Sequence, residues 1–70
     1  MNWEDVQANW DYLRESVKAK WAALTEDDLR KVAGRRDWLI SMLRERYGLA
    51  RADAELEIDE FFSLQFGHAG

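Results

Sequence analysis

The side chains with the capacity for chemistry are mainly carboxylates. Glu26, Asp27 and Asp28 form an acidic triplet, and Glu55, Glu57, Asp59 and Glu60 crowd one later stretch. A cation such as Ca²⁺ takes about six or more oxygens from a shaped loop with a turn glycine. The triplet instead follows Thr25 at a helix start, where acids cap the backbone and meet the helix dipole favourably. General acid–base work needs two carboxylates facing each other across a cleft. A chain of 70 residues offers little cleft, and the later acidic run reads as a solvated face. His68 is the only histidine, and there is no cysteine. A thiol nucleophile, a disulfide and a Cys-ligated zinc are thereby removed. Ser16, Ser41 and Ser63 have no neighbouring base that would make a nucleophile of them. The expectation is a chain that is not an enzyme, with no catalytic, cofactor-binding or metal-binding residue.

Phosphate is the other ligand the side chains suggest. Arg30, Lys31, Arg35 and Arg36 bracket Gly34 between two expected helices. Such a cluster is a candidate nucleic-acid contact. The chain as a whole opposes it, with a net charge of −4 and a pI near 4.8. Counterion release favours basic proteins, and Arg30 and Lys31 also complement the negative end of their own helix. A nucleic-acid partner is therefore the second reading, not the first.

The elements that must position these groups are helices. Proline is absent, and hydrophobic residues make up 47% of the chain, a folding rather than a disordered composition. No segment alternates apolar and polar residues for long enough to suggest a strand. Trp3, Val6, Trp10, Leu13, Val17, Trp21 and Leu24 recur at steps of three and four, which predicts one helix from Trp3 to about Ala22. Asn2 can cap it, with Met1 and Val6 as a hydrophobic staple. Thr25 to Asp28 predicts a capping box, with Leu24 and Leu29 at its staple positions. That second helix covers about Glu26 to Ala33, ahead of Gly34. A third runs from about Arg35 to Tyr47, with Leu39, Met42, Leu43 and Tyr47 as core candidates. Gly48 is suited to its C′ position, and Leu49 can pack back on Leu43. A fourth covers about Arg51 to Leu64, with Ala54, Ile58, Phe61 and Phe62 on one face. The single domain is expected over residues 1–66, with 67–70 as a mobile tail.

These residues together resemble the CsbD-like family of small bacterial stress-associated proteins. The resemblance rests on Asn9-Trp10, Leu13, Val17-Lys18, Trp21, Leu24-Thr25-Glu26-Asp27-Asp28-Leu29, Ala33-Gly34-Arg35-Arg36-Asp37, Leu39, Glu45-Arg46-Tyr47-Gly48, Ala54-Glu55 and Asp59-Glu60-Phe61. It runs ungapped over about Met1 to Phe61. It implies an all-α domain of four helices in two packed hairpins, similar to the sterile-alpha-motif arrangement. It also implies induction under general stress, in a family without an agreed biochemical activity and without catalytic or ligand residues to carry over. A serine that often caps the last helix in that family is replaced here by Ala50.

The aromatic residues exceed what one small core needs. Trp10, Trp21, Tyr47 and Phe61 read as core. Trp38, Leu56, Phe62 and Phe66 read as surplus, and surplus apolar groups on a surface mark contact sites. The expected partner is an unknown protein or a second copy of the chain. No apolar run approaches the roughly 20 residues of a membrane span. The first ten residues are acidic without a hydrophobic block, unlike a secretory leader, so the expected compartment is the cytoplasm.

Overall fold

The apolar stripe that opens the chain folds as two helices rather than the single one its spacing predicts. The structure is a computed structural model and describes residues 3–65. It contains α1 (Trp3–Ala8), α2 (Trp10–Lys20), α3 (Glu26–Val32), α4 (Arg36–Tyr47) and α5 (Arg51–Gln65), with no strand among the described residues. The all-α class holds, with five helices where four were expected. The break falls at Asn9, whose backbone sits near φ −108°, ψ 18°. Its side-chain amide donates to the Asp5 carbonyl at 2.9 Å. Asparagine offers the backbone this kind of local alternative to a continuing helix. Spacing could not disclose the break, because Val6, Trp10 and Leu13 are buried on both sides of it. The expected Asn2 cap and Met1 staple lie outside the described residues.

The start of α3 follows the sequence closely. The Thr25 hydroxyl accepts from the Asp28 N–H, and the Asp28 carboxylate accepts from the Thr25 N–H, both at 3.1 Å. This is the reciprocal capping box, and the staple residues Leu24 and Leu29 are both buried. The helix ends one residue earlier than expected, because Ala33 turns left-handed at φ 48°. Gly34 follows at φ 79°, and a Cβ there would lie 2.7 Å from the Gln7 Cα. Glycine is therefore required twice over, by backbone sign and by the approach of α1. Gly48 closes α4 at φ 66°, its N–H donating to the Arg44 carbonyl.

The core collects one face from every helix. Val6, Trp10, Leu13, Val17, Trp21, Leu24, Leu29, Val32, Leu39, Ile40, Leu43, Ala54, Ile58 and Phe62 are all buried. Two tryptophans satisfy their N–H groups across the bundle. The Trp10 Nε1–H donates to the Leu29 carbonyl at 2.9 Å, and the Trp21 Nε1–H donates to Glu57 at 3.0 Å. Leu49 packs against this core in part, as its position after Gly48 suggested.

The Ala54 N–H donates to the Ala50 carbonyl, so Ala50 occupies the N-cap position of α5, and its methyl cannot accept from the first turn. Ala50→Ser is expected to stabilise the domain by about 1 kcal/mol. Urea denaturation followed by circular dichroism measures this. A lowered midpoint would refute the cap assignment.

Candidate interaction surface

The acidic groups are largely committed to holding the fold. Both oxygens of the buried Asp28 meet Arg46, whose Nε and Nη2 donate at 2.8 and 2.9 Å. The Arg46 hydrogen bond is the main cause that holds the Asp28 carboxyl far below its ordinary value of 3.8, followed by the Thr25 N–H, while burial pushes the other way. Glu26 and Asp27 are exposed, and Asp27 lies 3.4 Å from Arg30. On α5, Glu55 pairs with Arg51 at 3.3 Å and Arg36 at 3.8 Å, and Asp59 pairs with Arg36 at 3.5 Å. Arg51 also reaches Asp37 at 3.9 Å. These pairs tie the first turn of α4 to the first half of α5. Among the described residues, no three His, Cys, Asp or Glu groups are placed to hold a metal ion. His68 lies outside the described residues.

The four basic residues around Gly34 are not brought together as one free patch. Arg30 and Arg36 engage the carboxylates just named. Lys31 and Arg35 are exposed and form no ion pair among the described residues. Sequence order placed these four together, but it could not show that α5 would fold its acids back onto Arg36.

The apolar surplus divides differently from expectation. Trp38 is 48% and Leu56 58% exposed, so both stand on the surface. Phe62 is a correction: it is fully buried, with its ring 4.9 Å from Trp3 and 5.0 Å from Phe61. Its place on the face of Ala54 and Ile58 accounts for this, because four residues of helix return it to their side. Phe66 lies outside the described residues. Tyr47 is a second correction, for it is 43% exposed. Its hydroxyl accepts from the Ala23 N–H at 3.0 Å, which keeps the polar end at the rim. Phe61 is half-buried, 5.0 Å from the Trp21 ring.

Two exposed residues escaped the sequence reading. Tyr12 is 78% and Leu64 83% exposed. Both sit beside, not on, the buried stripe of their helices, where a helical wheel leaves them outside the core. A shallow open depression beside Leu64 is lined by Asp59, Glu60 and Ser63. No described helix is long and apolar enough to cross a membrane.

Known proteins resemble the chain along most of its length. It is 43% identical over 63 residues to UPF0337 protein RPA4217 of Rhodopseudomonas palustris, a stretch covering 90% of this chain and 96% of that protein. It is 38% identical over 61 residues to UPF0337 protein YjbJ of Escherichia coli O6:H1, covering 87% of this chain and 88% of that one. The Salmonella typhimurium YjbJ protein is 36% identical over 58 residues, 83% of each chain. No family model matches the chain, and no solved structure does. Identity of this level over nearly the whole of both partners shows that the chain belongs to the UPF0337 family, the family of the CsbD-like proteins it resembles.

Proposed function

We propose that this protein acts without catalysis, as a bacterial general stress-response protein of the cytoplasm that binds another protein or a second copy of itself. The observation that carries this reading is the exposure of Trp38 and Leu56 outside a core already filled by other residues. An apolar side chain left in water is recovered by contact with a partner. The CsbD-like resemblance supports the setting of general stress. The absence of a catalytic role is supported by where the carboxylates go: Asp28, Glu55, Glu57 and Asp59 all hold other parts of the chain.

The test is site-specific photo-crosslinking in bacterial cells before and after stress, with the crosslinker at position 38, 56 or 15. Positions 38 and 56 are expected to give protein adducts that position 15, exposed on α2, does not. Equal adducts at all three would defeat the reading. Weak nucleic-acid binding is the alternative, favoured only by the free Lys31 and Arg35. It predicts duplex affinity that falls steeply with salt and is lost in an Arg35→Glu, Lys31→Glu variant.

A further inference from the structure

One helix carries the whole net charge of the chain. α5 holds Arg51 against Asp53, Glu55, Glu57, Asp59 and Glu60, a net of −4, which equals the total for the protein. The same helix exposes two leucines, Leu56 and Leu64. At about 100° per residue, Leu56 points away from the buried face of Ala54, Ile58 and Phe62. Asp53 stands one turn before Leu56, and Asp59 and Glu60 one turn after it. Glu60 also stands one turn before Leu64. Asp53 and Glu60 are exposed and form no ion pair or hydrogen bond among the described residues. The outer face of α5 thus carries Leu56 and Leu64 with the free carboxylates of Asp53 and Glu60 beside them, and the depression at Asp59, Glu60, Ser63 and Leu64 lies at one end.

We infer that this face docks a cationic amphipathic helix of another protein, one whose Lys or Arg residues flank a row of apolar side chains. This rests on the binding reading above and names the partner's chemistry. Charge complementarity selects the occupant. A second copy laid face to face would set the free Asp53 and Glu60 carboxylates against their own counterparts. An anionic membrane or a nucleic acid carries the same wrong sign. No other helix face among the described residues joins a row of exposed apolar groups to several cations: one turn from Trp38 the only cation is Arg35, and one turn before Tyr47 it is Arg44. The residues one turn from the exposed Tyr12 are Ala8, Asn9, Glu15 and Ser16, none of them basic. Exposed leucines beside free acids accept only a partner that satisfies both, and that selectivity is what distinguishes this face from a general acidic surface.

Fluorescence anisotropy of the full chain with three labelled peptides tests this. The first is a helical Leu/Lys amphipath, the second has each Lys replaced by Glu, and the third contains only Lys. The Leu/Lys peptide is expected to bind more tightly than either control. Asp53→Asn with Glu60→Gln should weaken it by about fivefold at low salt, the combined effect of two exposed charge pairs. Leu56→Gln with Leu64→Gln should weaken it by a similar factor with the thermal unfolding midpoint unchanged, and Trp38→Gln should leave it intact. Equal binding of the Lys-only peptide, or insensitivity to the leucine substitutions, would overturn the inference. Crosslinks from position 56 to an acidic protein or a second copy would sink this inference and leave the binding reading standing. Position 15 matching positions 38 and 56 would sink the binding reading itself.

Discussion

Phe62→Ala is expected to destabilise the domain by about 3–5 kcal/mol, the usual cost of emptying a buried phenylalanine site. Phe62 is fully buried and meets the Trp3 and Phe61 rings edge-on. Its loss removes area burial, two ring contacts and the anchor by which α5 holds α1. The space left would lie between Trp3 of α1 and Phe61 of α5, and closing it would require one helix to move against the other. A domain of this size has only a few kcal/mol in total, so much of the variant should be unfolded at 37 °C. Leu56→Ala on the same helix is expected to change stability by less than about 0.5 kcal/mol, since Leu56 is 58% exposed. Urea titrations of the two variants by circular dichroism make the comparison. Similar midpoints for both would mean that the division of α5 into a core face and an outer face is wrong.

That division shows what the sequence could carry and what it could not. The helices, the capping box at Thr25 and Asp28, and the closing role of Gly48 were legible because each depends on residues within a few positions. The break at Asn9 was not, since the apolar spacing continues through it and the cause is one local amide bond. Phe62 had two roles open to it, and the choice depended on how much room the other helices leave. No count of aromatic residues supplies that. The same limit hid the destinations of the charges. Arg36 lies 23 positions from Asp59 and Arg46 18 positions from Asp28. The candidate contact surface was accordingly half legible: Trp38 and Leu56 stood out as surplus apolar residues, whereas the free acids beside Leu56 could be told from the engaged ones only after folding.

Asp28 is the other position where one substitution should matter most. Read from sequence, it is one member of an acidic triplet that opens a helix. Folded, it is buried, and its carboxylate closes the capping box while receiving two hydrogen bonds from Arg46. It thereby joins the start of α3 to the last turn of α4. Asp28→Ala is expected to cost about 2–3 kcal/mol. Loss of the hydrogen bond from the Thr25 N–H, the Asp28 half of the capping box, supplies about 1 kcal/mol. Loss of the charge-assisted bonds supplies about 1.5–3 kcal/mol, reduced because the Arg46 side chain is 40% exposed and water can take over part of its solvation. At about 4–8 °C per kcal/mol for a domain of this size, the midpoint of thermal unfolding should fall by roughly 10–20 °C. Asp28→Asn keeps an acceptor for the Thr25 N–H and should lose about half as much. The carboxyl is held below its ordinary value in the folded state, mainly by Arg46. Its contribution is therefore complete above the unfolded value of 3.8 and declines as pH falls from there. The stability gap between the native chain and Asp28→Asn should be constant from neutral pH to about pH 5 and should narrow as the solution is acidified below about pH 4. Thermal melts of both chains across that range decide the matter. A gap that stays constant down to pH 2 would mean that the ionised carboxylate adds nothing beyond its shape. A gap that narrows on acidification would mean that the charge itself ties α3 to α4.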